Sequence, residues 1–173
     1  MGQELVKAEI ALADKKTLSF IITVNSLPPN GGMPEFTRYV WQMLVDGEFV
    51  ELDGKWSNYS RGVCDPTSGQ CPPPRDPGMQ PFFVRGNCEV LGNVLACEEL
   101  GVVHAEFDTG AATITIPVPL KVLGAKKGSK IVGAAQSDTG FSGITAIPSV
   151  FYSQTSMPFD MLALTGVFTV PKK

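Results

Sequence analysis

The chain has one histidine, His104, and that scarcity removes most nucleophilic and zinc chemistry at the outset. A Ser-His-Asp relay would need a nucleophile within hydrogen-bond reach of this single imidazole. No G-x-S-x-G elbow occurs, and Phe141-Ser142-Gly143 reads as a plain turn. Strand parity places His104 on the solvent side, opposite to Val103, Ala105 and Phe107. Zinc would need C-x-x-C spacing or a histidine pair, and the sequence has neither. Charge is thin as well. Only 18% of residues are charged and the net charge is −3, so no basic patch is visible and nucleic acid is excluded as a partner. Apolar runs stay short of the ~18 residues of a membrane span. Met1-Gly2-Gln3-Glu4 opens polar and acidic, so an exported chain would have lost its leader.

Hydrophobic residues, by contrast, make up 43% of 173 residues, enough for a core in a single domain covering 1–173. The four cysteines, Cys64, Cys71, Cys88 and Cys97, carry the strongest pattern. A two-residue turn at Gly92-Asn93 opposes Leu91 to Val94, Val90 to Leu95, Glu89 to Ala96 and Cys88 to Cys97. That last pair falls on a non-hydrogen-bonded site, with Cα atoms roughly 4.5–5.5 Å apart, and predicts a cross-strand disulfide. Val90 and Leu95 share its face, so the bridge is expected against apolar neighbours. Cys64 then pairs with Cys71 by elimination, across a turn-rich loop. Each small ring contributes about 2.5 kcal/mol on the chain-entropy model. Two local bridges imply an oxidising compartment and an extracellular protein; four buried free thiols in a cytosolic protein is the alternative.

The remaining pattern is strands and turns. Thr17–Val24 alternates, with Leu18, Phe20, Ile22 and Val24 on one face. Asp46-Gly47 as a tight turn sets Met43 against Val50 and Trp41 against Leu52, with Gln42 and Glu51 on the other face. A turn at Thr109-Gly110 pairs Phe107 with Ala112, Ala105 with Ile114 and Val103 with Ile116. Further strands are expected over 130–135, near 145–151 and over 161–170, and one helical turn closed by Gly124. The class is an all-β antiparallel β-sandwich, immunoglobulin-like or jelly-roll, of about eight strands. Residues 58–86 form one long ordered insert, stiffened by Cys64–Cys71 and a proline run.

Three other motifs lie along this frame: Val24-Asn25-Ser26-Leu27-Pro28 closing an early strand, Val45-Asp46-Gly47 at a turn, and Ile114-Thr115-Ile116-Pro117-Val118-Pro119. With a late Asp160 before the final strand, their order resembles β-sandwich accessory modules of secreted bacterial multidomain proteins, including those attached to subtilisin-like proteases. The resemblance spans most of the chain. It implies a supporting role beside a catalytic domain and transfers no site residue.

Candidate ligand contacts cluster in the insert. Trp56 and Tyr59 fit an exposed aromatic platform for sugar, with Arg61, Arg75 and Arg85 as hydrogen-bond donors; Trp56 closing one end of the core is the competing reading. Structural calcium would draw on Asp46, Asp53, Asp65, Asp76, Asp108, Asp138 or Asp160, above all Asp138 and Asp160, although no D-x-D-x-D loop occurs. Paired carboxylates for glycoside hydrolysis stay formally open. Glu98 and Glu99 point to opposite faces of a strand, whereas Glu51 and Asp53 share a face expected to lie in water. The expectation is a secreted, non-catalytic module that binds polysaccharide, a cell-surface component or an adjacent catalytic domain, with no membrane span. The alternative is a self-associating subunit of an extracellular fibre or surface assembly, with Met1–Asp14 as a donated strand.

Overall fold

Alternation of apolar and polar residues sets almost every strand. A computed structural model of the chain describes residues 4–25, 27, 37–57, 78–79, 82–91, 94–139, 158–164 and 166–172. They form β1 (Leu5–Asp14), β2 (Thr17–Val24), β3 (Thr37–Val45), β4 (Glu48–Ser57), β5 (Gly78–Met79) and β6 (Phe82–Leu91). These are followed by β7 (Val94–Val103), β8 (Glu106–Asp108), β9 (Thr113–Pro119), β10 (Lys130–Thr139), β11 (Pro158–Ala163) and β12 (Phe168–Thr169). All pairings are antiparallel. The smaller sheet has the order β1-β2-β9-β8. The larger runs β11-β10-β3-β4-β6-β7, with β12 also on β10 and β5 on β4. The protein is thus an all-β sandwich. No helix among the described residues is long and apolar enough to cross a membrane.

The core lies between the two sheets. Leu18, Phe20, Ile22 and Val24 of β2 are buried, as are Ile114, Ile116 and Val118 of β9 beside them. From the larger sheet come Tyr39, Trp41, Met43 and Val45, then Val50 and Leu52, then Phe82 and Val84. Phe20 meets Trp41 edge to face, with ring centroids 5.4 Å apart, which is the geometry aromatic quadrupoles favour. The predicted face of β2 and the whole register of the β3–β4 hairpin hold, with Met43 opposite Val50 and Trp41 opposite Leu52. Gly54 follows from close approach, because a Cβ there would meet the Phe82 ring at 2.6 Å.

Four expectations change. The third hairpin keeps its faces but slips by two residues. Phe107 pairs with Ile114 and Asp108 with Thr113, because Asp108 Oδ1 accepts the Ala111 N–H at 2.9 Å and Ala112 adopts φ 52°. This cap builds a four-residue connection where simple counting gave two. A shift of two preserves side-chain parity, so the pattern could not detect it. Val103, expected opposite Ile116, instead pairs with Phe82 in the other sheet; the chain changes sheets at His104-Ala105.

The insert is also shorter than 58–86, since residues 78–79 and 82–86 belong to β5 and β6. The alternation of Phe82, Val84 and Gly86 against Phe83 and Arg85 had been absorbed into a loop. Residues 161–170 are not one strand, because the chain breaks between β11 and β12, with Gly166 at φ 100°. Residues 5–14, expected to be available for donation to another copy, are β1 and pair with β2 from Leu5↔Val24 to Asp14↔Thr17. The expected strand near 145–151 and the Cys64–Cys71 bridge lie outside the described residues. The helical turn does form. Val122 N and Leu123 N both donate to Pro119 O, and Gly124 closes it at φ 66°.

Candidate functional site

The predicted bridge is present. Cys88 and Cys97 are disulfide-bonded, with Cα atoms 4.0 Å apart, and the pairs Glu89–Ala96, Val90–Leu95 and Leu91–Val94 match the counted register. The hairpin departs from regularity only nearer the body. There Asn87, at φ 48°, occupies a bulge and its amide donates to Glu98 Oε2 at 2.8 Å. Val90, which shares the staple's face, is 74% exposed.

The insert starts from a closed base. Trp56 pairs with Met79 and Ser57 with Gly78 along an antiparallel ladder, so the two ends of the segment 58–77 leave β4 and β5 side by side. This places Trp56 on the base of the insert. Tyr59, Arg61 and Arg75 lie outside the described residues.

Arg85 belongs to a different arrangement. It sits on β6 directly opposite Glu51 of β4, on the outward face of the larger sheet. Its Nη1 donates to Asp53 Oδ2 at 2.7 Å and lies 3.6 Å from Glu51 Oε1. The guanidinium stands 5.5 Å from the Phe83 ring centroid. Gln42 Nε2 donates to Glu51 Oε2 at 3.0 Å from the next strand. Glu51 and Asp53, expected in water, are buried to 7% and 3% exposure, and Val40 on the same face is fully covered. β4 lies between β3 and β6, so Gln42 and Arg85 flank these carboxylates from either side. Buried carboxylates are retained when a cation and hydrogen-bond donors compensate their lost hydration, and Arg85 is that cation. Arg85 therefore braces β4 and β6, with its guanidinium on two carboxylates.

The calcium candidates separate into different roles. Asp46 accepts Lys130 N–H at 2.8 Å and the Ser129 hydroxyl at 2.7 Å. These donors, the backbone N–H first, hold its carboxyl below the ordinary aspartate range. Asp108 caps its own turn and Asp53 holds Arg85. Asp138 and Asp160 lie on neighbouring strands, where Ser137 opposes Asp160 and Asp138 opposes Pro158 across a register shift. Asp65 and Asp76 lie outside the described residues. His104 is exposed in the crossover between β7 and β8.

A feature that residue-by-residue reading missed is a group of lysines. Lys126, Lys127 and Lys130 flank Ser129, and Lys172 packs its chain against Gly128; all four are exposed. The net charge concealed them. No family model matches the chain, and no curated protein and no solved structure is significantly similar to it.

Proposed function

We propose that this chain is a non-catalytic accessory or binding module of an exported protein, which displays the segment between β4 and β6 to a carbohydrate or cell-surface ligand. The observation that carries the reading is the ladder at Trp56–Met79 and Ser57–Gly78. It fixes both ends of a long segment to a rigid sheet, as binding loops on sandwich scaffolds are fixed. Three features support it further. The Cys88–Cys97 staple is compatible with an oxidising compartment outside the cell. Glu51 and Asp53 are committed to Arg85 and Gln42, the environment of a structural ion pair. The aromatic side chain nearest the base of the segment in sequence, Trp56, is of the type that sugar rings pack against. The resemblance to accessory modules of secreted bacterial proteins points the same way.

The test is retention on a panel of neutral insoluble polysaccharides such as cellulose and chitin. Two variants are compared with the native chain: Trp56→Ala, and one in which 58–77 is replaced by a short Asn-Gly turn joining Ser57 to Gly78. The paired ends make that replacement compatible with the fold. Native retention that disappears in the turn variant, with its melting temperature maintained, is the expected result. Retention that survives removal of the segment overturns the reading.

A further inference from the structure

The end of the sandwich away from Ser57 and Gly78 carries its own charge pattern. Four separate pieces of chain meet there and are tied by main-chain bonds. Leu120 N donates to Lys16 O at 2.7 Å, joining the β1–β2 turn to the turn after β9. Val170 N donates to Ser129 O at 2.9 Å and Gly128 N to Val170 O at 2.9 Å, joining the C-terminal segment. Asp46 N donates to Lys130 O at 2.9 Å, joining the β3–β4 turn. This convergence gathers Lys126, Lys127, Lys130 and Lys172, with Lys15, Lys16 and Lys121 on the adjoining turns, all exposed.

Among the described residues, two acids at this end are already engaged by donors. Asp46 is held by Ser129 and Lys130 N–H, and Asp14 accepts Lys16 N–H at 2.7 Å. Glu48 begins β4 beside them. Glu89 and Glu98 reach the same end on the β6–β7 hairpin, but on the far side of β4, and Glu98 is engaged by Asn87.

Beside Lys130 runs a shallow groove of about 360 Å³, lined by Leu44, Asp46, Gly47, Lys130, Val132 and Val167. Its apolar residues stand open to solvent, with Val167 57% and Leu44 42% exposed. The groove is thus an apolar strip with one lysine, Lys130, and one carboxylate, Asp46, in its lining.

We propose that this end binds a linear polysaccharide bearing carboxylates, of the polyuronate class. A uronate ring offers a C–H face that packs on Leu44, Val132 and Val167, and an equatorial carboxylate that reaches a lysine at the rim. Repetition along the polymer meets lysines spread over three pieces of chain, and weak contacts add through multivalency. The side chains disfavour two other polyanions. Among the described residues that line the groove none is aromatic, which leaves nothing to stack a base or anchor in lipid headgroups. The proposal concerns a different surface from the 58–77 segment, so either can fail without the other.

Affinity electrophoresis through gels cast with polygalacturonate tests it, with dextran as the neutral control. Retardation by polygalacturonate alone is expected, declining as salt is raised from about 50 mM to about 300 mM, because exposed charges are screened. The variant K126Q/K127Q/K130Q/K172Q should bind at least tenfold more weakly with an unchanged melting temperature, and the corresponding Lys→Arg variant should retain binding. Absence of retardation in the native chain overturns the proposal, as does equal binding by the glutamine variant. Duplex DNA or phosphatidylglycerol vesicles bound as tightly as polygalacturonate would overturn it too.

Discussion

Asp46 occupies the left-handed region at φ 51°, a conformation few residues other than glycine accept without cost. With Gly47 at φ 96° it builds the primed turn that suits the right-handed twist of β3 and β4. Its short side chain compensates by collecting two donors from the start of β10, one of them Ser129, whose oxygen also accepts Lys126 N–H at 2.9 Å. Ser129 is buried, so Ser129→Ala leaves both a main-chain N–H and a carboxylate short of a partner. We expect a loss of about 1–2 kcal/mol in urea unfolding at neutral pH. The folded-state pKa of Asp46 lies below its ordinary value of 3.8. Its contribution is therefore complete above about that pH and lost as pH falls through the lower folded value. The gap between native and Ser129→Ala should accordingly narrow in acid titrations below pH ~3.5, and a gap that widened would contradict this. Arg85 supports a second residue-scale expectation: Arg85→Met strands Glu51 and Asp53 and should cost about 3 kcal/mol, whereas a ligand-contact role would leave stability unchanged.

Hairpins show where counting residues succeeds and where it stops. The β3–β4 and β6–β7 registers were legible because a two-residue turn with residues suited to φ > 0 fixes every pair above it. The β8–β9 connection was not, because the Asp108 cap and the Ala112 backbone act locally and leave parity untouched. Bulges were equally invisible, and the one at Asn87 isolates the stapled tip from the sheet that carries it. Reducing Cys88–Cys97 should therefore act locally. Amide exchange is expected to quicken within 88–97 while β2, β3 and β4 keep their protection. Loss of protection throughout the sandwich would show the staple to be part of the global fold.

At the scale of the whole molecule, the two sheets are held by one apolar seam, and Phe20 against Trp41 lies within it. Phe20→Ala should cost about 3–5 kcal/mol and lower the urea midpoint with the slope unchanged, since both sheets unfold together. The sandwich class was readable from period-two patterning, which is a property of each strand alone. The candidate sites were only partly readable. The Glu51–Asp53–Arg85 brace needed β4 to be known as an inner strand, and Arg85 to be known as part of β6. The lysine end needed the fold to bring residues 15–16, 121–130 and 172 together, and a net charge of −3 averages that segregation away. One strand connects all of this. β4 starts at Glu48 beside the lysines and ends at Ser57, where it pairs with Gly78. Its ten residues make it a stiff spacer of roughly 30 Å. On the two proposals above, a module so built would hold a polymer and a second target about that distance apart.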